Sequence, residues 1–231
     1  MSKLFSAWIA LSIGGIFPVV MFIYCLVKQQ YIKAFLLGAL TFIIFQVGLR
    51  IPLLQLLSKN SIDFNLFQAI HPVLYMFFLA ITAGIFEEVG RYLIMKYCLK
   101  KNHSFQTAVF FGLGHGGVEA FLFLGITAFI FLSTANSQGI INSDLLWGSL
   151  ERIIAMTLHV ELSIIVMKSV KENDRRFLWI ALFLHALVDS IVIIAQFFGG
   201  GSLILTESLF GIIVICLGFY VRKLKREWSV I

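Results

Sequence analysis

The sequence predicts an all-α fold, a polytopic bundle of about seven transmembrane helices. Three observations carry that expectation. Hydrophobic residues make up 60% of the 231 and charged residues only 13%, with a mean hydropathy of +0.96, a balance that belongs to membrane proteins. The apolar residues gather into seven runs, each near the ~20 residues a helix needs to cross a bilayer. The basic residues collect in alternate loops between those runs.

The first run, 4–27, is too long for a cleaved signal peptide and has no Ala-x-Ala site, so it reads as a span. The second, 34–57, is interrupted by Pro52 just after Arg50, which predicts a kink. The third, 72–97, carries Glu87, Glu88 and Arg91. The fourth, 105–133, is long and holds Gly112, Gly114, Gly116 and Gly117 around His115, a pattern that fits a bend or break as well as close packing. Runs at 145–167, 177–198 and 203–221 complete the set. No repeat or low-complexity stretch interrupts them, and residues 1–231 read as a single integral membrane domain.

Positively charged loops stay in the cytoplasm. Lys28 and Lys33, then Lys96, Lys100 and Lys101, then Lys168, Lys171, Arg175 and Arg176, and finally Arg222, Lys223, Lys225 and Arg226 fall in alternate connections, leaving only Lys3 and Lys59 on the other side. This predicts an N-terminus outside, a cytoplasmic C-terminus and a multi-pass protein of the cell membrane. The net charge of +6 therefore reports topology, not nucleic-acid binding. The expected partners are membrane lipid and a membrane-associated peptide or protein substrate. Three cysteines, Cys25, Cys98 and Cys216, give no disulfide framework and no metal-pair spacing.

Charge at the centre of a membrane helix costs roughly 2.5–3.5 kcal/mol on insertion scales, so intramembrane ionisable residues mark function by default. Here they form helix-spaced groups: Glu87-Glu88-x-x-Arg91, His115-x-x-x-Glu119, Glu151-Arg152 followed by His159, and His185-x-x-x-Asp189, with Arg50, Glu161 and Glu207 apart. A rise of about 1.5 Å per residue places Glu87, Glu88, His115, His159, His185 and Asp189 roughly 12–18 Å from the cytoplasmic ends of their helices. One buried polar site on the cytoplasmic side is the simplest reading. Arg50, Glu119, Glu151 and Arg152 fall deeper, at roughly 21–25 Å, and are expected to close into ion pairs between helices. Glu207 lies near a span end, at headgroup level. Glu161 falls on the face opposite His159, and spacing assigns it no role.

Spacing adds roles. Residues four apart share a helix face, so His115 pairs with Glu119, His185 with Asp189 and Glu87 with Arg91. Arg91 is also three residues from Glu88, so one guanidinium can touch both carboxylates. Imidazole nitrogen and carboxylate oxygen suit a divalent metal such as zinc, with His115, His159, His185 and Glu88 as candidate ligands. The same groups could activate water and polarise a carbonyl without metal. Either way the chemistry is hydrolysis of an amide within the bilayer, and no other cofactor is implied. No His-Glu-x-x-His and no Gly-x-Ser-x-Gly occurs.

The run Phe86-Glu87-Glu88-Val89-Gly90-Arg91-Tyr92, then Phe111-x-x-x-His115, then His185-x-x-x-Asp189 resembles the CAAX-protease and bacteriocin-processing superfamily. Together with His-Gly-Gly-x-Glu and Glu-Arg followed by His159, it is more similar to that superfamily's relatives, the YhfC family of membrane peptidases. The resemblance implies an intramembrane protease in which Glu87 or Glu88 with His115 activates water, Arg91 belongs to the first motif, and His185 with Asp189 stabilises the oxyanion. Glu119, Glu151, Arg152 and His159 would be accessory. Two residues separate Glu-Glu from Arg here, where the superfamily has three, so both glutamates remain candidates for the base. A proton- or cation-coupled transporter would use the same groups as a relay, though the paired broken helices and repeats of transporters are missing from the sequence. A non-catalytic relative is the third reading.

Overall fold

The structure is a computed structural model that describes residues 3–100, 102–134 and 142–228. Lys101, one of the basic loop residues, lies outside the described residues. The described residues are helical with short connections, and seven helices are long and apolar enough to cross a membrane. They are α1 (Leu4–Lys28), α2 (Ile32–Asn60), α4 (Pro72–Cys98), α5 (Phe105–Ser133), α6 (Asn142–Glu172), α7 (Arg176–Phe198) and α8 (Leu203–Trp228). A short α3 (Ile62–Ile70) joins α2 to α4, capped by the Ser61 hydroxyl, which accepts from the Phe64 N–H at 3.1 Å.

Helices α6 and α8 outrun their apolar windows because their polar ends remain good helix formers. Lys168 pairs with Glu172 one turn on, at 3.0 Å, and the basic end of α8 complements the helix dipole. The kink expected at Pro52 takes another form. Proline has no N–H and its ring presses on the carbonyl four residues back. The turns before it, Phe42–Arg50, widen into π-helix, with the Ile51 N–H bonded to the Gln46 carbonyl. Nor does α5 break at its glycines: it runs as α-helix through Ala120 and widens only at Phe121–Gly125.

Packing divides the chain into two compact units. The first comprises Met1–Ala39, Ser104–Ile164 and Leu217–Ile231. Its small residues let helices approach: Ala7 and Ala10 of α1 cluster with Leu124, Ala128 and Phe131 of α5 and Leu145 of α6. The glycines beside His115 explain why α5 stays whole. A Cβ on Gly112 would collide with the Val160 backbone, and one on Gly116 would lie 3.0 Å from Met156 Cα and 3.2 Å from the His159 ring. These glycines set α5 against α6, so the packing reading of the cluster is the one the structure supports.

The second unit comprises Leu40–His103 and Ile165–Cys216. Arg50, expected in an ion pair, is instead fastened to backbone and hydroxyl. Its Nη2 donates to the Leu79 carbonyl at 2.6 Å and its Nε to Thr82 Oγ1 at 3.2 Å, both on α4. The charge of the guanidinium strengthens both of these bonds to neutral acceptors. Phe64 and Phe67 of α3 meet Tyr75 and Phe78 of α4 edge-on. At Gly84 the backbones of α4 and α7 come close, since an added Cβ would sit 3.1 Å from the Leu182 carbonyl and 3.3 Å from the Ala186 nitrogen.

Candidate functional site: two arginine–glutamate–histidine centres

The close approach at Gly84 has a chemical consequence one turn later. Glu88 follows Gly84 by four residues and so shares its face, while His185 precedes Ala186 on the opposing helix. Glu88 Oε1 accepts from His185 Nδ1 at 2.6 Å. Arg91 Nη1 lies 3.1 Å from Glu88 Oε1 and 3.3 Å from Oε2, and Arg91 Nη2 lies 3.6 Å from Glu87 Oε2. One guanidinium thus reaches both carboxylates, as the spacing predicts, but not equally. Glu88 is held by two partners at hydrogen-bond distance and Glu87 by a looser ion pair. Arg91 and Glu88 are both 0% exposed, so the group is dry and its charges depend on one another. Asp189 Oδ2 lies 3.7 Å from His185 Nε2, so both ring nitrogens of His185 face carboxylates.

The first unit builds a second centre from the same three residue types. Arg152 Nη1 donates to Glu119 Oε1 at 2.7 Å and its Nη2 bonds Glu151 Oε1. The other oxygen of Glu119, Oε2, is in ion-pair contact with His159 Nε2. The rings of His115 and His159 stand 4.9 Å apart, tilted by 49°, and both residues are buried. This centre is less buried than the other at its arginine end: the side chains of Arg152 and Glu151 are 13% and 41% exposed.

Sequence spacing foresaw the Arg91 bridge, the His185–Asp189 pair and the outer ion pair of Arg152. It missed the link from Glu119 to His159, which joins α5 to α6 and so has no spacing along the chain. It missed the Glu88–His185 bond for the same reason. Glu207, expected among headgroups, is buried within α8 at 8% exposure. Glu161 is buried as well, beside Gly218 of α8, and its Oε2 has no hydrogen-bond partner among the described residues. His103 bonds the Met95 carbonyl at the end of α4, and the three cysteines are free thiols.

The His115–His159 pair passes a geometric test for zinc. Two imidazoles on one tetrahedral zinc, with Zn–N near 2.0–2.1 Å, place their ring centroids about 5 Å apart, and these rings stand at 4.9 Å. A carboxylate on the outer nitrogen of a ligating histidine is the usual support of such a site, and Glu119 supplies it to His159. His185 and Glu88 fit a ligand role less well, because they are bonded to each other.

The comparisons with known proteins agree with this chemistry. A family model described as YhfC intramembrane metalloprotease matches residues 15–144 and 140–213. The "Uncharacterized membrane protein YhfC" of Bacillus subtilis (strain 168) is 31% identical over 204 residues, covering 73% of this chain and 76% of the relative. No solved structure matches. This multi-pass membrane protein, with its buried glutamates and histidines, belongs to the YhfC intramembrane metalloprotease family.

Proposed function

We propose that the chain is an intramembrane peptidase that hydrolyses a peptide bond in a membrane-associated substrate with the help of a divalent metal, zinc by donor chemistry. The observation that carries this reading is the buried His115–His159 pair at metal-sharing distance, with Glu119 behind it. His115 and His159 are each buried and carry a donor type that a zinc site takes. We assign the two imidazoles as its nitrogen donors. A bound zinc would polarise the substrate carbonyl and lower the pKa of water.

The protein's own groups divide the remaining work. Glu88, fastened by Arg91 and His185, holds His185 in place. His185, facing carboxylates on both sides, is placed to donate a hydrogen bond to an oxygen that gains charge. Glu88 is bonded to both Arg91 and His185, whereas Glu87 lies 3.6 Å from Arg91 Nη2, and this supports Glu87 as the acid that meets water. The test is elemental analysis of purified protein together with cleavage of a panel of transmembrane peptides. Wild type should carry a stoichiometric divalent ion and cut. His115→Ala should lose both properties at near wild-type expression. Metal-free wild type that still cleaves would sink the metal assignment, and a metal-loaded protein that cuts no peptide would sink the peptidase.

A further inference from the structure

The outer cluster of Glu119, Glu151 and Arg152 reads from sequence as a set of structural ion pairs. The atoms involved point to something more specific. Glu119 divides its two oxygens between two partners: Oε1 accepts from Arg152 Nη1 at 2.7 Å, and Oε2 is in ion-pair contact with His159 Nε2. A carboxylate paired to a guanidinium is ionised and can only accept hydrogen bonds. A ring lone pair pressed against that anion would be repelled, so the His159 nitrogen in contact with it carries the proton. A neutral imidazole has one N–H and one lone pair, so a proton fixed on Nε2 leaves the lone pair on Nδ1. Glu119 thereby selects both the tautomer and the ring orientation of His159. Arg152 in turn holds Glu119 in the form that can do so.

We infer that Glu119 and Arg152 are positioning residues which act as a relay of orientation from α6 to α5 and back to α6, presenting Nδ1 of His159 as a ligand nitrogen. This rests on the metal reading above for its purpose but on the Arg152–Glu119–His159 contacts for its content. Glu151 serves as the internal control. It bonds the same guanidinium through Nη2 yet does not share the Glu119 carboxylate, and its side chain is 41% exposed. Loss of Glu151 leaves the Glu119–His159 contact intact. Loss of Glu119 releases the ring.

Two readouts on the full-length protein in detergent test the inference. The first is zinc affinity, measured by competition with a chelating dye. Removing the outer-shell partner of a metal-binding histidine typically costs 10–100-fold in affinity, so Glu119→Gln should weaken zinc binding by about that factor and Glu151→Gln should not. The second needs no metal: spectra of 15N-histidine protein should show His159 protonated at Nε2 in wild type and in Glu151→Gln, and a mixture of tautomers in Glu119→Gln. Should Glu119→Gln fail to accumulate, Arg152→Gln carries the test, because it leaves Glu119 and His159 in place and should still give mixed tautomers. Equal loss of zinc affinity in Glu119→Gln and Glu151→Gln would overturn the inference, as would a wild-type His159 protonated at Nδ1. A wild type that takes up no zinc would remove the metal reading alone, since the spectra still decide the tautomer.

Discussion

The two units use one motif for two ends. In each, an arginine bridges a pair of glutamates, and one of the pair reaches across to a histidine on another helix: Arg91, Glu87, Glu88 and His185 in one, Arg152, Glu151, Glu119 and His159 in the other. The difference lies in what surrounds the histidine. His185 has a carboxylate at each ring nitrogen, Glu88 at 2.6 Å and Asp189 at 3.7 Å, surroundings that suit the hydrogen-bond donor proposed above. His159 has Glu119 at Nε2 and a second imidazole beside it at 4.9 Å between ring centroids, surroundings that suit the metal ligand proposed above. The lesson is that an Arg–Glu–His triad does not name a function. The group on the histidine's other nitrogen decides it.

The sharpest way to break the comparison is to remove each arginine. Arg91 is fully buried with two carboxylates and a histidine depending on it. Stripping one partner from a buried ion group costs roughly 3–5 kcal/mol, so Arg91→Ala should lower the thermal midpoint steeply or abolish accumulation in the membrane. Arg152→Ala, whose side chain is 13% exposed against 0% for Arg91, should cost less. Equal destabilisation of both variants, read by thermal unfolding in detergent, would show that the two centres share one energetic role.

Packing offers the next contrast. Gly84→Val should push α4 from α7, since the new atoms meet the Leu182 carbonyl and the Ala186 nitrogen. Overpacking of this kind costs about 1–3 kcal/mol and should disturb the Glu88–His185 bond, visible as a changed His185 resonance. Gly116→Ala crowds Met156 and the His159 ring in the other unit and should disturb His159 instead. Cross-over, with Gly84→Val shifting His159 and leaving His185 alone, would contradict the local origin assigned to each centre.

The division between the neighbouring glutamates is tested by isosteres. If Glu87 is the reacting carboxylate, Glu87→Gln should lower cleavage by about 10²-fold or more at near wild-type stability. Glu88→Gln should lose stability as well as activity, because Glu88 holds both Arg91 and His185 at hydrogen-bond distance. A fully active Glu87→Gln would return the role to Glu88. The smallest effect, and the one of opposite sign, is expected at Glu161. Its buried Oε2 lacks a hydrogen-bond partner among the described residues, so Glu161→Met removes a desolvation cost. The thermal midpoint should hold or rise. A clear fall would mean that the carboxyl bonds something outside the described residues.

Much of the architecture was legible along the chain because a bilayer constrains it so tightly. Backbone polar groups must be satisfied within each span, so the apolar runs at 72–97 and 105–133 could only be helices, and they are within a residue of their expected limits. Contacts within a helix were legible for the same reason: a period of 3.6 residues puts Arg91 against Glu87 and Glu88, and His185 against Asp189, whatever surrounds them. The π-widening before Pro52 and the burial of Glu207 were not, because each depends on how one helix seats against others.

What the sequence determined by itself was therefore the class, the span count and the cast of ionisable residues, through hydropathy and helical period alone. What only the tertiary structure decided was which acid holds which histidine. Glu119 shares a face with His115 in sequence terms, yet its carboxylate is in ion-pair contact with His159, and Glu88 reaches His185 across nearly a hundred residues of chain. The physical reason lies in the glycines. Gly84, Gly112 and Gly116 remove the side chains that would keep α4 from α7 and α5 from α6, and only at that separation can a short carboxylate span the gap to an imidazole.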